Sequence, residues 1–268
     1  MGTSMIDGKA LEKQLGELLD IFYSKRKDTL QNLKLIPTLK RKNPYLYRAT
    51  GVATGSEIIK QVMAAFISSS DETIFGNVFF ERLAKWAAEE SAKTRENTTA
   101  TVGAAAGVDI AVEDAICYIA LAVKSGTKVF NTQSRSQQET EFQALRSRLS
   151  KINKQFRSVV GYGYGRKAKR ISAARNYEEV AGQNFWELVT GESDFYLRIM
   201  KYMEEKPKEH AAEFKEELAK TENRLVKEFL FHFAKDDGSI DWEKLTEFNS
   251  GALQMKLKKI PAINENQS

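Results

Sequence analysis

The stretch GVDIAVEDAICYIALAVKSG, residues 107–126, decides the fold of this chain. It contains two runs rich in apolar and β-branched residues, Val108–Val112 and Ile116–Lys124, separated by a short polar turn. Runs of this kind on either side of a turn predict an antiparallel β-hairpin. Asp109 lies on the first predicted strand and Lys124 ends the second, so the hairpin carries two opposite charges in apolar surroundings.

Alternate side chains of a strand share one face, so Asp109 lies with Ala111, and Lys124 lies with Ala120 and Ala122. The small alanines leave space beside the aspartate for something other than a side chain. An isolated carboxylate and an isolated ammonium are costly to bury unless they are paired or bound to a ligand. Two interpretations therefore stand: an Asp–Lys ion pair at the sheet edge, or a functional site.

Apolar residues at helical spacing on both sides of the hairpin predict several helices. They are expected over 7–34, from Ser56, from about Asp71 through Trp86, over 139–156, before Gly191, and over 195–234 with a break near Pro207. Residues 90–106 and the polar segment 127–138 are expected to connect these elements, and 157–165 is expected to be a third strand. This order predicts a mixed α/β fold, in which helices flank a central mixed β-sheet and add further layers at both ends of the chain.

The chain divides into four expected segments. These are an N-terminal helix and connecting segment at 1–55, a core at 56–195, a C-terminal helical region at 196–260 and a disordered tail at 261–268. The C-terminal helices carry an apolar stripe that predicts a core or dimer face, at Phe214, Leu218, Leu225, Phe229 and Phe233.

Composition excludes several classes of protein. The single cysteine, Cys117, rules out an intramolecular disulfide and is expected to be a small core residue of a cytoplasmic protein. The two histidines, His210 and His232, argue against a histidine-rich zinc site and against a Ser-His-Asp hydrolase. No apolar run is long enough to cross a bilayer, and the N-terminal residues lack a secretory signal. Any chemistry must therefore rest on carboxylates and lysine, with or without a hard cation.

The basic residues are concentrated in one part of the chain. From Phe142 to Tyr177 the sequence has no Asp or Glu but ten Lys and Arg residues, and a second basic cluster, Lys40-Arg41-Lys42 with Arg48, lies upstream. A surface that serves only solubility mixes the two signs of charge. A polyanionic partner therefore explains the one-signed run better than a solvated face does.

Several stretches resemble one group of type II restriction endonucleases within the PD-(D/E)xK nuclease superfamily. The hairpin resembles the superfamily core, in which an Asp and a turn precede a short apolar strand ending in x-Lys. The other stretches are KNPYLYRATGVATGSEIIKQVMAAFISSSDETIFGNVFFERLA, NTQS, VVGYGYGR and VAGQNFWELVTG. Together they cover roughly residues 40–195 in the expected order, so the segment 56–195 is expected to be the nuclease core.

The resemblance implies a homodimeric, Mg²⁺-dependent enzyme that cuts both strands of a short double-stranded DNA sequence. It also implies a cognate DNA methyltransferase that protects the host. In the site, Asp109 is expected to bridge the metal, the carbonyl of Val123 to be another ligand, and Lys124 to orient or help deprotonate the attacking water. The residue chemistry agrees, because phosphodiester hydrolysis needs an activated water and stabilised charge, which hard cations on carboxylate oxygens supply.

Ala122 departs from the family pattern, which places an acid two residues before the lysine. In the first of three explanations, the carboxylate comes from the preceding helix. Glu81 is then the candidate catalytic residue and metal ligand, although it also fits an exposed salt bridge with Lys85 at i+4. In the second, Glu113 serves, since it shares the strand parity of Asp109, but it lies near the turn. In the third, the chain is a catalytically crippled form, natural or engineered.

DNA contacts are expected from two segments. The first carries amide, hydroxyl and guanidinium groups that pair with base edges in the major groove, unless it is an ordinary surface loop: Asn131, Gln133, Ser134 and Arg135. The second is a glycine-rich strand, expected to approach DNA through its backbone at Gly161, Gly163 and Gly165. Its basic end is expected to clamp phosphates through Arg166, Lys167, Lys169 and Arg170.

Two other functions fit the same residues. One is a different PD-(D/E)xK nuclease that works in repair or recombination. The other is a DNA-binding protein that keeps the fold without cleavage, which Ala122 favours. The recognition sequence and the cleavage position do not follow from the sequence, because base contacts depend on docking geometry.

Overall fold

The computed structural model describes residues 5–126, 132–167 and 175–251. Three of the predicted DNA contacts, Asn131, Lys169 and Arg170, lie outside the described residues, as does the predicted disordered tail.

Ten α-helices, one π-helical turn and five β-strands follow one another in the described part of the chain. In order they are α1 (Gly8–Gln31), α2 (Leu35–Leu39), α3 (Pro44–Ala49), α4 (Gly55–Phe75), the π turn (Gly76–Phe80), α5 (Glu81–Thr94), β1 (Thr99–Ala105), β2 (Val108–Glu113), β3 (Cys117–Lys124), α6 (Thr132–Arg148), β4 (Gln155–Tyr162), β5 (Glu178–Ala181), α7 (Gln183–Thr190), α8 (Phe195–Tyr202), α9 (Lys206–Phe233) and α10 (Trp242–Ser250).

The five strands form one sheet in the order β1-β2-β3-β4-β5. The pairs β1–β2 and β2–β3 are antiparallel, whereas β3–β4 and β4–β5 are parallel. The predicted hairpin is confirmed as β2 and β3, with Ile110 opposite Leu121 and Glu113 opposite Tyr118. The predicted mixed α/β fold, with helices around a mixed sheet, is therefore confirmed.

Strand alternation sends two apolar surfaces to opposite faces of the sheet. On the first face, Ile110 and Leu121 pack in a core shared with α1, α5, α7 and α8. On the second face, Ala120 and Ala122 pack with Phe142 of α6. These five side chains are at most 1% exposed. Helices therefore cover the central strands on both faces.

Contacts divide the chain into two compact units. The first comprises Met1–Ser24 and Glu72–His210, and the second comprises Lys25–Asp71 and Ala211–Ser268. The first unit contains the sheet and the hairpin. The second has a helical core of its own, in which Leu225, Phe229 and Phe233 of the predicted apolar stripe are fully buried.

One strand lies where a connecting segment was expected. The prediction for residues 90–106 is wrong, because α5 continues to Thr94 and the strand β1 follows at Thr99–Ala105. β1 is an edge strand with a mostly exposed surface, so its sequence lacks the apolar alternation that would reveal it.

Helix α6 begins earlier than expected. It starts at Thr132, not near Glu139, so Gln133, Ser134 and Arg135 lie in a helix and the prediction of a polar connection there is wrong. The first turns of α6 are polar, and its two buried apolar side chains, Phe142 and Leu145, come later. Periodicity detects only the part of a helix that faces a core.

Two further elements differ from the expectation. The two helices predicted from Ser56 and Asp71 are one segment, in which α4, the π turn and α5 follow without a break. The strand β5, Glu178–Ala181, was not expected, because four residues that begin with two glutamates carry no strand pattern.

Gly161 of β4 lies where a side chain would collide with the core. A Cβ atom there would lie 2.3 Å from Cδ2 of the buried Phe185 ring and 3.0 Å from Cδ1 of Leu121. We expect Gly161→Ala to reduce the free energy of unfolding by about 1–3 kcal/mol, the usual cost of overpacking a core. Urea denaturation followed by circular dichroism measures this change.

Gly16→Ala in α1 is the matched control. The nearest atom to its added Cβ lies 3.4 Å away, an ordinary contact. Because alanine favours helix interiors, this variant should gain about 0.5–1 kcal/mol. Equal stabilities for the two variants would contradict the packing described for β4.

Candidate active site

One continuous helical segment carries two carboxylates close to the hairpin. Glu72 lies in the last turn of α4, and Glu81 is the first residue of α5, directly after the π turn. Each residue of an α-helix turns by about 100°, so residues nine apart lie on nearly opposite sides. The wider π turn reduces this angular separation, and such turns frequently occur at functional sites.

Glu81 and Lys124 line the same small pocket, which has a volume of about 240 Å³. Its walls also include Glu72, Val123 and Ser125. The structure thus brings together three predicted site residues, Glu81, Val123 and Lys124. Glu72 could not be predicted from the sequence, because its distance from Glu81 along the chain argues against a shared helix face unless the π turn is known.

Asp109 is tied to the backbone at the edge of this pocket. Its Oδ2 accepts a hydrogen bond from the backbone N–H of Val123, at 2.7 Å. The ladder between β2 and β3 ends at the pair Ile110–Leu121, so the aspartate carboxylate receives an N–H beyond the last paired residues. β1 has a bulge between Val102 and Ala105, opposite the same part of β2. The aspartate therefore stands where the regular sheet is interrupted.

Lys85 connects the two predicted acidic ligands. Its Nζ lies 2.5 Å from Oε1 of Glu81 and 4.0 Å from Oδ1 of Asp109. The salt bridge between Glu81 and Lys85 that i+4 spacing predicted is therefore present, and it coexists with the position of Glu81 in the pocket wall. Both carboxylates therefore lie near one ammonium, Glu81 at hydrogen-bond distance and Asp109 at the outer limit of an ion pair.

Ala122, where the family acid is missing, and Glu113, the second candidate replacement, do not line this pocket. Ala122 is fully buried and packs with Phe142 of α6. Glu113 lies at the far end of β2 and forms an ion pair with Lys154, at 2.6 Å. Of the two replacement acids considered, Glu81 is the one that lines the pocket with Lys124.

The donors around the pocket fit a hard divalent cation. Within residues 5–126, 132–167 and 175–251, no group of three or more His, Cys, Asp and Glu side chains could hold a metal ion. Mg²⁺ does not require such a group, because it usually keeps several waters and binds one or two carboxylates together with substrate phosphates. Asp109 and Glu81 supply two carboxylates, and both lie within 4.0 Å of the Lys85 ammonium.

The described residues among the predicted DNA contacts occupy different environments. Gln133 and Ser134 lie in the first turn of α6, so they do not form a loop. Arg135 and Lys167 both approach the carboxylate of Glu179, at 3.9 and 3.1 Å.

Arg166 lines a separate and larger cavity than the acidic pocket. That cavity measures about 660 Å³ and has aromatic walls that include Phe80, Tyr164 and Trp186. Its aromatic lining distinguishes it from the small pocket at Glu81 and Lys124.

Gly161 in β4 and Gly163 just after that strand are closely packed. A Cβ at Gly163 would lie 2.7 Å from the ring of Phe80, as one at Gly161 would meet Phe185. Aromatic rings therefore fill the space that these glycines leave, which is sufficient reason for glycine at both positions. Gly165 has a φ of 98°, a left-handed backbone conformation that favours glycine.

A mixed sheet flanked by helices, with an Asp on one hairpin strand and a Lys ending the next, defines the restriction-endonuclease-like class of nucleases. The profile of the type II restriction endonuclease EcoO109I family matches residues 9–211. The chain belongs to that family, which confirms the resemblance to type II restriction endonucleases described from the sequence. The protein is therefore a restriction endonuclease by family, that is, a nuclease and a hydrolase.

A search of curated proteins returns no match to the chain. In the part of the chain that the structure describes, none of the helices combines the length and the apolar character needed to span a membrane.

Proposed function

We propose that the protein is a Mg²⁺-dependent endonuclease that cuts both strands of a specific short DNA sequence. The observation that carries the proposal is the convergence at one pocket of Glu81 and Lys124, with Asp109 attached to the adjacent Val123 backbone. The family supplies the reaction class. The one-signed basic run between Phe142 and Tyr177 supplies a surface suited to a polyanion, apart from Arg157, whose guanidinium is held by Glu178.

Each side chain has a role that its position supports. A divalent cation, when bound, supplies Lewis-acid activation of water and stabilises charge on phosphate oxygens. Asp109 and Glu81 would hold it through carboxylate oxygens, and the Val123 carbonyl is a further candidate ligand. The ammonium of Lys124, in the pocket wall, would orient the attacking water by hydrogen bonding and offset negative charge as it develops on the phosphate.

A plasmid digestion tests the proposal. Purified protein mixed with plasmid and Mg²⁺ should produce a discrete set of fragments, and EDTA should prevent it. Smears or structure-dependent nicks would instead indicate a repair or recombination nuclease. A gel shift without cutting would indicate a DNA-binding protein that lost cleavage, the alternative that Ala122 favours.

Asp109→Asn and Glu81→Gln test the assignment of the carboxylates. Each change keeps the size of the side chain but removes its charge, so cleavage should fall by at least about 100-fold, while DNA binding persists. The initial rate of supercoiled plasmid cleavage measures the first effect, and an electrophoretic gel shift measures the second.

Glu90→Gln is the matched control for Glu81→Gln. Glu90 lies on the same helix and forms an ion pair with Lys93 three residues later. It should cleave at the wild-type rate. If Glu81→Gln also cleaved at that rate, Glu81 would not be the replacement acid.

Lys85→Met tests whether the two carboxylates share a cation position. The ammonium of Lys85 competes with any divalent cation between Glu81 and Asp109, and a partly exposed ion pair of this kind is worth about 0.2–1 kcal/mol. Removing it should therefore tighten Ca²⁺ binding by up to about fivefold, measured by isothermal titration calorimetry. Lys93→Met, which removes a similar helix ion pair, should leave Ca²⁺ affinity unchanged. Weaker Ca²⁺ binding by Lys85→Met would contradict a shared cation position.

The biological setting follows from the proposed activity. Cleavage of both strands of a palindromic site suits a homodimer, because each two-fold related active site meets one strand. The host then needs a cognate DNA methyltransferase to protect its own copies of the sequence. An enzyme that destroys incoming DNA is expected to act in the cytoplasm.

A further inference from the structure

Glu179 of β5 lies at the centre of a cluster of cations. Its carboxylate accepts a 3.1 Å hydrogen bond from Lys167, forms an ion pair with Arg175, and lies 3.9 Å from Arg135. The hydroxyl of Tyr162 donates to the same carboxylate, at 2.5 Å. The glutamate side chain is 12% exposed, whereas the three cationic side chains are 24–32% exposed. The acid is therefore covered, and the cations reach solvent.

The cluster has an excess of positive charge. Burial by itself raises the pKa of the Glu179 carboxyl, but hydrogen bonds from Tyr162 and Lys167 outweigh burial and hold the pKa below its usual range. The carboxylate is therefore ionised at neutral pH. Three cationic side chains converge on this one carboxylate, an arrangement that favours binding of anions.

The cluster lies at the same end of the sheet as the candidate active site. Tyr162 ends β4 and pairs with Lys124 on one side and with Ala181 on the other. Glu179 pairs with Val160, which belongs to the core that α6 covers. Arg135 lies in the first turn of α6, a turn without acidic residues. The cations therefore gather on the α6 face, near the strand end that carries Lys124.

We propose that Arg135, Lys167 and Arg175, assembled by Glu179, form a binding site for a backbone phosphodiester of bound DNA. The proposal rests on the proposed function and deepens it. It changes the role of Arg135 from reading a base to contacting a phosphate, and it adds Arg175 to the contacts expected from the sequence. Arginine suits such a site, because its planar guanidinium can bind a carboxylate and still present donors to a phosphate.

The neighbouring pair of Arg157 and Glu178 differs from this cluster in its balance of charges. Two hydrogen bonds of 2.9 and 2.8 Å join that guanidinium to one carboxylate. Glu178 precedes Glu179 on β5, so the two acids point to opposite faces of the sheet. This pair has one charge of each sign and no excess. Arg157→Gln is therefore a matched control, an Arg-to-Gln change in an ion pair of the same two strands.

The test measures how DNA affinity depends on salt. Wild type, Arg135→Gln, Arg175→Gln, the double variant and Arg157→Gln are titrated with a duplex in Ca²⁺ at several NaCl concentrations, by fluorescence anisotropy. Each lost phosphate contact should lower the slope of log affinity against log salt by about 0.9. Both single cluster variants should show this loss, the double variant should lose about twice as much, and Arg157→Gln should keep the wild-type slope.

The outcomes separate this inference from the proposed function. If wild type cuts plasmid into fragments but the cluster variants keep its salt slope, the phosphate site is wrong and the nuclease assignment stands. If wild type binds no duplex, the proposed function fails as well. A further arm uses inorganic phosphate alone. If it binds wild type but not the double variant while DNA slopes stay equal, the cluster binds free phosphate and the proposal is overturned.

Discussion

The structure depends on the position of β3, which has a strand on each side and apolar packing on each face. It is antiparallel to β2 and parallel to β4, and the side chains from Ala120 to Val123 are at most 5% exposed. A charge cannot lie within such a strand without losing hydration. The ammonium of Lys124 therefore appears only where β3 ends, and the N–H of Val123, beyond the last β2–β3 pair, is satisfied by Asp109. The same constraint that builds the core thus fixes where the site must be.

The helical segment before the sheet provides the second half of the site. The π turn reorients the chain so that Glu72 in α4 and Glu81 in α5 both line the pocket beside Lys124. Lys85 balances the acids, and its side chain is 25% exposed. An ion pair open to solvent contributes little stability, so a stronger cation can replace it, whereas a deeply buried pair resists exchange. Partial exposure therefore suits the proposed exchange of this lysine for a metal ion.

Two adjacent acids on β5 bind basic residues on opposite faces of the sheet. Strand alternation directs Glu178 to Arg157 and Glu179 to Arg135, Lys167 and Arg175. Arg157 is thereby matched by one acid, whereas three cations converge on the other.

The sequence by itself determined the hairpin and the mixed fold class, because strand alternation and a polar turn are local patterns. It also placed Asp109 and Lys124 on the two hairpin strands, and the family resemblance made Glu81 a candidate replacement acid. Only the tertiary structure revealed Glu72 in the pocket wall, the position of Lys85 between the two acids and the contacts of Glu179. These depend on a π turn, on the end of a strand ladder and on side chains that come from separate elements, and none of those leaves a periodic signal. Likewise, β1 and the start of α6 face solvent. Because they do not pack against a core, their sequences carry no hydrophobic pattern from which these elements could be predicted.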